Sequence, residues 1–400
     1  MRSLLLLLLL PFSSFVANAQ ENVVDSIITE HKQTFSYRNN TFSGEALDTL
    51  VNKIAEHRYI LIGEQHHTNE VPLFVTYLMQ KIEFDNYIME GNQFVTNLLE
   101  KTLKKSEKDY NELITKYPEH LGFYTFSKDR KILETFLLAD KNVIELDQVY
   151  GSSDGPILND LINITENNEA KTVYRQLLDL SESRWEKYKQ NPNIQPPFNK
   201  DELPLLGVRE LTERLQPLLS LNLSSEEERI IHDLVISDNI YALVYEGSYL
   251  RSHDTRISLM KKNLLNNYDK LVGKRNLFKF GANHVTKHKS LSHNTPDVGN
   301  MALNLADAEG QKSLHIAVME KSGSLGAPFG EDIATNGAPY LKPFLDLTTD
   351  KKEWLLFDLN KVRNEATKKK ITMGSTVLTN FIEGFDYLIV IPEVTPQTKL

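Results

Sequence analysis

Residues 59–67 read YILIGEQHH, an apolar run that ends in a carboxylate and two histidines. The run Tyr59–Gly63 has the near-continuous apolar character of a strand that is covered on both faces. A helical pattern follows over Val71–Phe84, and Tyr87–Met89 predicts a second strand. Because the order is strand, helix, strand, the economical prediction is a mostly parallel sheet.

Further β-rich runs lie along the chain: Val143–Leu146, Leu277–Phe280, His315–Val318, Trp354–Phe357 and Tyr387–Ile391. Such runs are absent between residues 156 and 272, where helical patterns cover Lys171–Lys189, Glu202–Leu219 and Ser225–Leu265. Ser225 followed by Glu228 is the pattern of a capping box at the start of the last helix. We therefore predict an α/β fold with a mostly parallel central sheet flanked by helices. Its core covers residues 20–155 and 273–400, and a largely helical insertion covers residues 156–272.

Composition excludes several classes of protein. The chain of 400 residues has 45 Lys and Arg against 54 Asp and Glu, a net charge of −9, and no basic stripe, so nucleic acid is not an expected partner. Cysteine is absent, which excludes disulfide scaffolds, thiolate zinc sites, iron–sulfur ligation and cysteine nucleophiles. Catalysis would have to use other polar side chains, above all histidines and carboxylates.

The N-terminus has the pattern of a secretory signal peptide. Arg2 precedes the apolar run Leu4–Leu10, and Ala17-Asn18-Ala19 has the small residues of a cleavage site. The apolar run is shorter than the roughly 20 residues that a membrane-spanning helix needs. We expect residues 1–19 to be a signal peptide, with no lipidated cysteine after it, no membrane span in the mature chain and a secreted or periplasmic location.

Ionisable groups follow four of the predicted strands. Glu64, His66 and His67 come after the first strand, and further groups follow later strands: Glu90, Asp147 and His284. Parallel strands bring their carboxyl ends to one edge of a sheet, where ligands bind in open α/β folds. A single carboxylate at such a position is commonly a helix cap, but four strands ending alike predict a polar site.

This set of residues suits general acid–base chemistry. Glu64 and His67 are three residues apart and would share one side if the turn after the strand begins a helix. A carboxylate beside an imidazole fixes its tautomer and raises its basicity, as activation of water requires. His284 could donate a proton or stabilise developing charge, and Glu90 and Asp147 could orient a histidine or hold a polar substrate. We count Glu90 among the catalytic groups, and Asp147 and His66 among the substrate-binding groups. His66 is interpreted as a supporting or surface group.

A metal-dependent site is the alternative, because these side chains also suit a divalent cation. The chain has no H-E-x-x-H motif, and adjacent histidines rarely point the same way. We therefore expect no metal ligands and no cofactor, and leave a divalent metal or haem open as the alternative.

Arg256, Met260 and Asn263 recur at helical spacing and so share one helix face. Arg256 and Asn263 on a face with Met260 could dock beneath a polar site and help bind substrate. The other interpretation is a solvated arginine beside a core methionine.

Taken together, these motifs resemble the erythromycin-esterase-like family. Gly63-Glu64-Gln65-His66-His67 resembles its G-E-x-x-H signature, and Ile88-Met89-Glu90 and Leu146-Asp147 are similar to its later strand ends. Arg256, Met260 and Asn263 match the spacing of its R-D-x-x-M-x-x-N helix. Phe280–Val285 with Gly299 resembles its H-N-x-H-V region, and Phe385–Ile391 its closing strand, so the resemblance spans about residues 58–395.

The resemblance implies a hydrolase in which His67 is the base, Glu64 its partner and His284 lies opposite. Such esterases open a macrolide ring by direct hydrolysis, without a required metal or a covalent intermediate. Gly281 stands where the family has its first histidine, Ile257 where it has aspartate, and Thr68 where it has glycine. The Gly281 form is closer to the Tiki-type proteases and the haem-uptake proteins of the wider superfamily.

We accordingly expect a secreted hydrolase of a small-molecule or peptide substrate, cleaving an ester or amide by histidine-activated water. The alternatives are a Tiki-like metal-dependent peptidase and a non-catalytic haem- or ligand-binding protein.

Overall fold

The computed structural model describes residues 23–191, 196, 198–325, 338–371, 373 and 375–399. The predicted signal peptide, residues 1–19, lies outside them. The described chain divides into two compact units, one of residues 23–84 and 275–397 and one of residues 85–274 and 398–399. The predicted insertion, residues 156–272, lies within the second unit, which also includes residues 85–155.

The first unit contains a mixed sheet. Its strands are β1 (Lys32–Arg38), β2 (Thr41–Ser43), β3 (Tyr59–Glu64), β6 (Asn276–Gly281), β7 (Ser313–Glu320), β8 (Glu353–Asp358) and β9 (Tyr387–Ile391), in the order β2-β1-β8-β9-β7-β3-β6. β6, β3, β7 and β9 are parallel, whereas β8, β1 and β2 add on in antiparallel pairing. Every residue of β3 is buried, as the apolar run predicts.

Helices complete the first unit. They are α1 (residues 23–30), α2 (Glu45–Ala55), α3 (Glu70–Lys81), α13 (Val298–Ala308), α14 (Lys342–Leu345), α15 (Leu359–Lys369) and α16 (Thr376–Gly384). The predicted helix after β3 is present as α3, and α13 follows the segment that contains His284.

The second unit is mainly helical. It has two parallel strands, β4 (Asn86–Met89) and β5 (Asn142–Glu145), with helices α4 (Gln93–Lys105), α5 (Glu107–Lys116), α6 (Ser127–Leu138), α7 (Asp154–Ile164), α8 (Asn168–Gln190), α9 (Glu210–Leu215), α10 (Ser225–Tyr245), α11 (Tyr249–Asn266) and α12 (Tyr268–Leu271). The described part of residues 156–272 has no strand. The α/β fold with a mostly parallel sheet and a helical insertion is thus confirmed.

The hairpin of β1 and β2 was not predicted. β1 buries only Phe35 completely, so its sequence lacks an apolar alternation, and the turn depends on two left-handed residues, Asn39 and Asn40. Asparagine tolerates that conformation better than most residues. The hairpin is anchored where the rings of Phe35 and Phe42 lie 5.6 and 5.0 Å from that of Trp354.

Two predicted helices of the second unit were too long. The pattern over Glu202–Leu219 yields only α9 and a 3-10 turn, because Gly207 and Arg209 adopt left-handed conformations that stop a helix. The pattern over Ser225–Leu265 is divided at Gly247, whose φ is 78°.

Among the described residues, we find no helix with the length and apolar character needed to cross a membrane.

The capping box of α10 lies one residue earlier than predicted. Ser224 Oγ accepts a hydrogen bond from the Glu227 backbone N–H at 3.2 Å, and the Glu227 carboxylate accepts one from the Ser224 N–H at 3.0 Å. Ser224→Ala should therefore lower the free energy of unfolding by about 1 kcal/mol, since two helix-terminal N–H groups lose their partners or their geometry. Urea denaturation measures the loss. Ser225→Ala, at the exposed neighbouring position, is the matched control and should change stability by less than about 0.5 kcal/mol.

Candidate functional site

The segment after β3 is a turn and not the start of a helix. α3 begins only at Glu70, and His67 has a left-handed backbone with φ of 72°. The expectation that Glu64 and His67 share a helix face was therefore wrong. A left-handed residue other than glycine is uncommon and marks a conformation that the surrounding structure imposes.

Contacts from the segment Val394–Gln397 impose that conformation. The Gln397 N–H donates to the His67 carbonyl at 3.0 Å, and Asn69 Nδ2 donates to the Pro396 carbonyl at 2.7 Å. The buried Glu70 carboxylate accepts hydrogen bonds from the backbone and the hydroxyl of Thr395, at 3.0 and 2.8 Å. His67 thus lies in a turn that is fixed on its C-terminal side.

Glu64 is held by a buried lysine and by His66. Lys279 Nζ lies 2.7 Å from Glu64 Oε1, and His66 Nδ1 lies 2.9 Å from the same oxygen. Burial opposes ionisation of Glu64, but the Lys279 ammonium, followed by His66, outweighs it and lowers the Glu64 pKa. Glu64 is therefore a carboxylate whose charge is neutralised within the protein, and its contacts include His66, the histidine predicted to be only a supporting group.

Sequence reasoning missed Lys279. Its side chain has no exposure, and it pairs in register with Ile62 of β3, so it shares a sheet face with Glu64. The signal was present in the sequence, because a lysine inside the apolar run Leu277–Phe280 is unusual unless it has a buried partner.

His284 lies in a 3-10 turn directly after β6 and pairs with Asp297. Its Nδ1 lies 2.8 Å from Asp297 Oδ2, and both residues are buried. An ionised carboxylate only accepts hydrogen bonds, so Nδ1 carries the proton and Nε2 of the neutral ring can act as a base. Asp297 was also missed: it caps α13 through the Val298 N–H, and a capping residue is what its sequence position suggests.

The backbone of the turn that carries His284 accepts a hydrogen bond from a buried histidine and is closely packed against two glycines. His315 Nδ1 donates to the Val285 carbonyl at 2.7 Å, and burial lowers the His315 pKa to about 4, so this ring stays neutral. Gly63 and Gly299 approach the turn closely: a Cβ on Gly63 would lie 2.7 Å from Val285, and one on Gly299 would lie 2.3 Å from the Val285 carbonyl carbon. Only glycine fits at these two positions without displacing the turn.

The second unit contains a cluster of charged side chains around Arg256. Its Nε lies 2.9 Å from Asp147 Oδ1, its Nη2 also donates to Asp147 Oδ2, and the same Nη2 lies 2.7 Å from Glu90 Oε1. Glu90 and Asp147 are buried, and the Arg256 side chain is 27% exposed. Arg256 is thus an ion-paired residue, not a solvated one, and Met260 is buried as expected.

Asn263 has a hydrogen-bond partner within the second unit. Its Nδ2 donates to the Leu146 carbonyl at 2.8 Å, directly after β5, and this bond ties α11 to the segment that presents Asp147. Of the predicted site residues, Glu64, His66, His67 and His284 belong to the first unit, and Glu90, Asp147, Arg256 and Asn263 belong to the second. Within the described ranges, no group of three or more His, Asp or Glu side chains is arranged to hold a metal ion.

Comparison with known proteins identifies the fold. No protein-family model matches the chain, and no curated protein matches it. Among solved structures, an erythromycin esterase, EreC, in its open conformation has a TM-score of 0.56 at 16% identity, covering 92% of this chain and 99% of that one. A Bacillus cereus protein has a TM-score of 0.55 at 18% identity, covering 95% and 99%. A succinoglycan biosynthesis protein has a TM-score of 0.54 at 12% identity, covering 96% and 99%. The chain shares the fold of these proteins.

Gly299→Ala should destabilise the first unit by about 1–3 kcal/mol, because the new Cβ meets backbone that cannot move without the His284 turn. Urea denaturation measures the loss, and the His284 ring resonances should shift in NMR spectra. Gly155→Ala is the control, since its Cβ would have its nearest neighbour at 3.7 Å. Equal stability of the two variants would contradict the close packing of Gly299.

Arg256→Met should destabilise the protein by roughly 3–5 kcal/mol at pH 8, because it removes the guanidinium that pairs with two buried carboxylates, Glu90 and Asp147. Urea denaturation measures the loss, with the exposed Arg251→Met on the same helix as the control. Equal stability of the two variants would contradict a stabilising role of the Arg256 ion pairs.

Proposed function

We propose that this chain is a hydrolase that cleaves an ester or amide by direct attack of an activated water. The observation that carries the proposal is a pair of carboxylate–imidazole contacts, Asp297–His284 and Glu64–His66, after neighbouring parallel strands. β3 and β6 pair with Glu64 opposite Gly281, so the segments that follow them leave the same sheet edge at one level. Two imidazoles held in fixed orientations can take up and donate protons as general bases and acids.

In this mechanism Asp297 positions His284 and stabilises the imidazolium that forms when Nε2 takes a proton from water. The resemblance implies His67 as the base; we assign water activation to His284, because its Nδ1 lies 2.8 Å from the buried Asp297 carboxylate. His67, fixed by Gln397 and Asn69, is assigned to the carbonyl oxygen of the substrate, where a donor would stabilise the developing negative charge.

Glu64 keeps His66 in one orientation. Because the Glu64 carboxylate is already paired with the Lys279 ammonium, Glu64 does not act as a free base. In the second unit, Arg256 is ion-paired with Glu90 and Asp147, so we assign neither carboxylate to proton transfer, and substrate binding by Asp147 and Arg256 stays a prediction from the sequence. A deprotonated carboxylate already paired with a guanidinium is a poor proton acceptor. The location that goes with this proposal is secreted or periplasmic, as the N-terminal sequence suggests.

The shared fold supports an ester as the first substrate class to test, because one structure with this fold is an erythromycin esterase. The described residues offer no three-donor metal group, so no step is assigned to a metal. Activation of water by His284 needs only side chains of this chain and water.

Asp297→Asn should lower kcat for hydrolysis of a p-nitrophenyl ester by about 10²–10⁴-fold, because an amide at this position favours the wrong tautomer of His284. His284→Ala should have a similar effect, and His67→Ala with Glu64→Gln should also lower the rate. Exposed His288→Ala is the control and should keep the wild-type rate. If His284→Ala, His67→Ala and Glu64→Gln all left a detected activity intact, the assignment would be wrong.

Two added measurements separate the alternatives. Loss of activity on chelation, with recovery on adding zinc, would favour a metal-dependent peptidase over water activation by histidine. A Soret absorbance shift on adding haem that is lost in His284→Ala would favour a haem-binding protein. Unchanged activity after chelation and no Soret shift are the results expected for the proposed hydrolase.

A further inference from the structure

We propose that Glu320, which the sequence reasoning did not single out, is the proton donor to the leaving group at the site that Glu64 and His284 form. The proposal rests on the proposed function and adds a catalytic acid to it. Glu320 is the last residue of β7, the strand that pairs with β3 on the side away from β6.

Strand register places Glu320 on the same sheet face as Glu64. Glu64 pairs with Val318, and side chains alternate along a strand, so Val318 and Glu320 both point to the face that carries Glu64. Lys279 of β6 lies on this face as well. On the other side of β7, Glu320 pairs with Ile391 of β9, which has no charge. The charged groups beside Glu320 on the neighbouring strands are therefore Glu64 and, bound to it, Lys279.

Glu320 has no cation of its own among the described residues. It is 6% exposed, and its Oε2 is buried without a hydrogen-bond partner in the described part of the chain. Glu64, by contrast, accepts bonds from Lys279 and His66. A buried carboxylate without a partner is costly to ionise, and a carboxyl with an unused oxygen can still exchange a proton or receive a ligand.

The carboxyl groups of Glu320 and Glu64 consequently differ in protonation. Burial, and then the negative charge of Glu64, raise the Glu320 pKa to about 7, whereas the Lys279 ammonium holds Glu64 ionised. Pairs of titratable groups whose environments separate their pKa values are a common means of assigning acid and base roles. Glu320 is therefore the carboxyl group that carries a proton for the leaving group, while Glu64 stays ionised.

The proton balance is complete. His284 Nε2 takes a proton from water as the water oxygen bonds to the carbonyl carbon. The bond from that carbon to the leaving oxygen then breaks, and the leaving oxygen takes the proton of Glu320. Transfer of the His284 proton to the Glu320 carboxylate through water restores both groups. The net reaction adds one water across the ester bond, and no other reactant is required.

Glu320→Gln tests the assignment. Glutamine has the size and hydrogen-bonding groups of a neutral glutamic acid but cannot donate a proton to a leaving group, so a merely structural role would survive the change. We expect kcat for a p-nitroanilide or alkyl ester, whose leaving groups need protonation, to fall by about 10²-fold or more. A p-nitrophenyl ester, whose leaving group needs no proton, should be affected far less. Glu393→Gln, at a surface ion pair with Lys351, is the matched control.

The pH profile gives a second readout. Wild-type kcat for the alkyl ester should fall as pH rises through about 7, as Glu320 loses its proton, and this limb should disappear in Glu320→Gln. Equal rates on all substrates and an unchanged profile in Glu320→Gln would overturn the proposal, while the losses in Asp297→Asn and His284→Ala would leave the proposed function intact.

If Asp297→Asn and His284→Ala also kept full activity, the proposed function would fail and the donor role of Glu320 with it. A stability measurement then still tests the buried carboxyl itself. Because its folded pKa is raised, wild-type protein should lose stability between pH 5 and 8 relative to Glu320→Gln. Parallel urea midpoints of the two proteins over this range would show that Glu320 is not a buried neutral acid.

Discussion

The contact between Lys279 and Glu64 sets the electrostatics of the first unit. An ammonium with no exposure cannot remain charged without a carboxylate beside it, and this requirement keeps Glu64 ionised inside the sheet. The ionised Glu64 then orients His66 and disfavours a second negative charge on Glu320. One ion pair between two central strands thus keeps Glu64 charged and adds to the burial that keeps Glu320 protonated.

Much of the fold could be predicted from the sequence because buried strands are apolar runs. All seven predicted strands are present, and the strand-end rule located Glu64 and His284 in one unit. The hairpin of β1 and β2 could not be predicted, because Phe35 alone is fully buried along β1. The helix over Glu202–Leu219 failed for another reason: left-handed Gly207 and Arg209 override the helical spacing of the leucines around them.

The partners of the site residues were harder to predict than the residues. Asp297 lies 13 positions after His284, and Lys279 lies 215 positions after Glu64, so each contact depends on register and loop path that spacing does not contain. Arg256 is a further example, because its helical spacing was clear in the sequence and its partners were not. Charge pairing across elements is decided by three-dimensional placement, whereas apolar periodicity is a local property of the chain.

The segment that fixes the His67 turn has a consequence for how the protein is made. Asn69 and Thr395 are 326 positions apart, and Gln397 reaches the His67 carbonyl over a similar distance in sequence. The residues of the site that are synthesised first therefore make these contacts only after residues 395–397 have been synthesised. Until residue 397 has been synthesised, His67 has no partner for its carbonyl from that segment, and a partly made chain cannot assemble this turn.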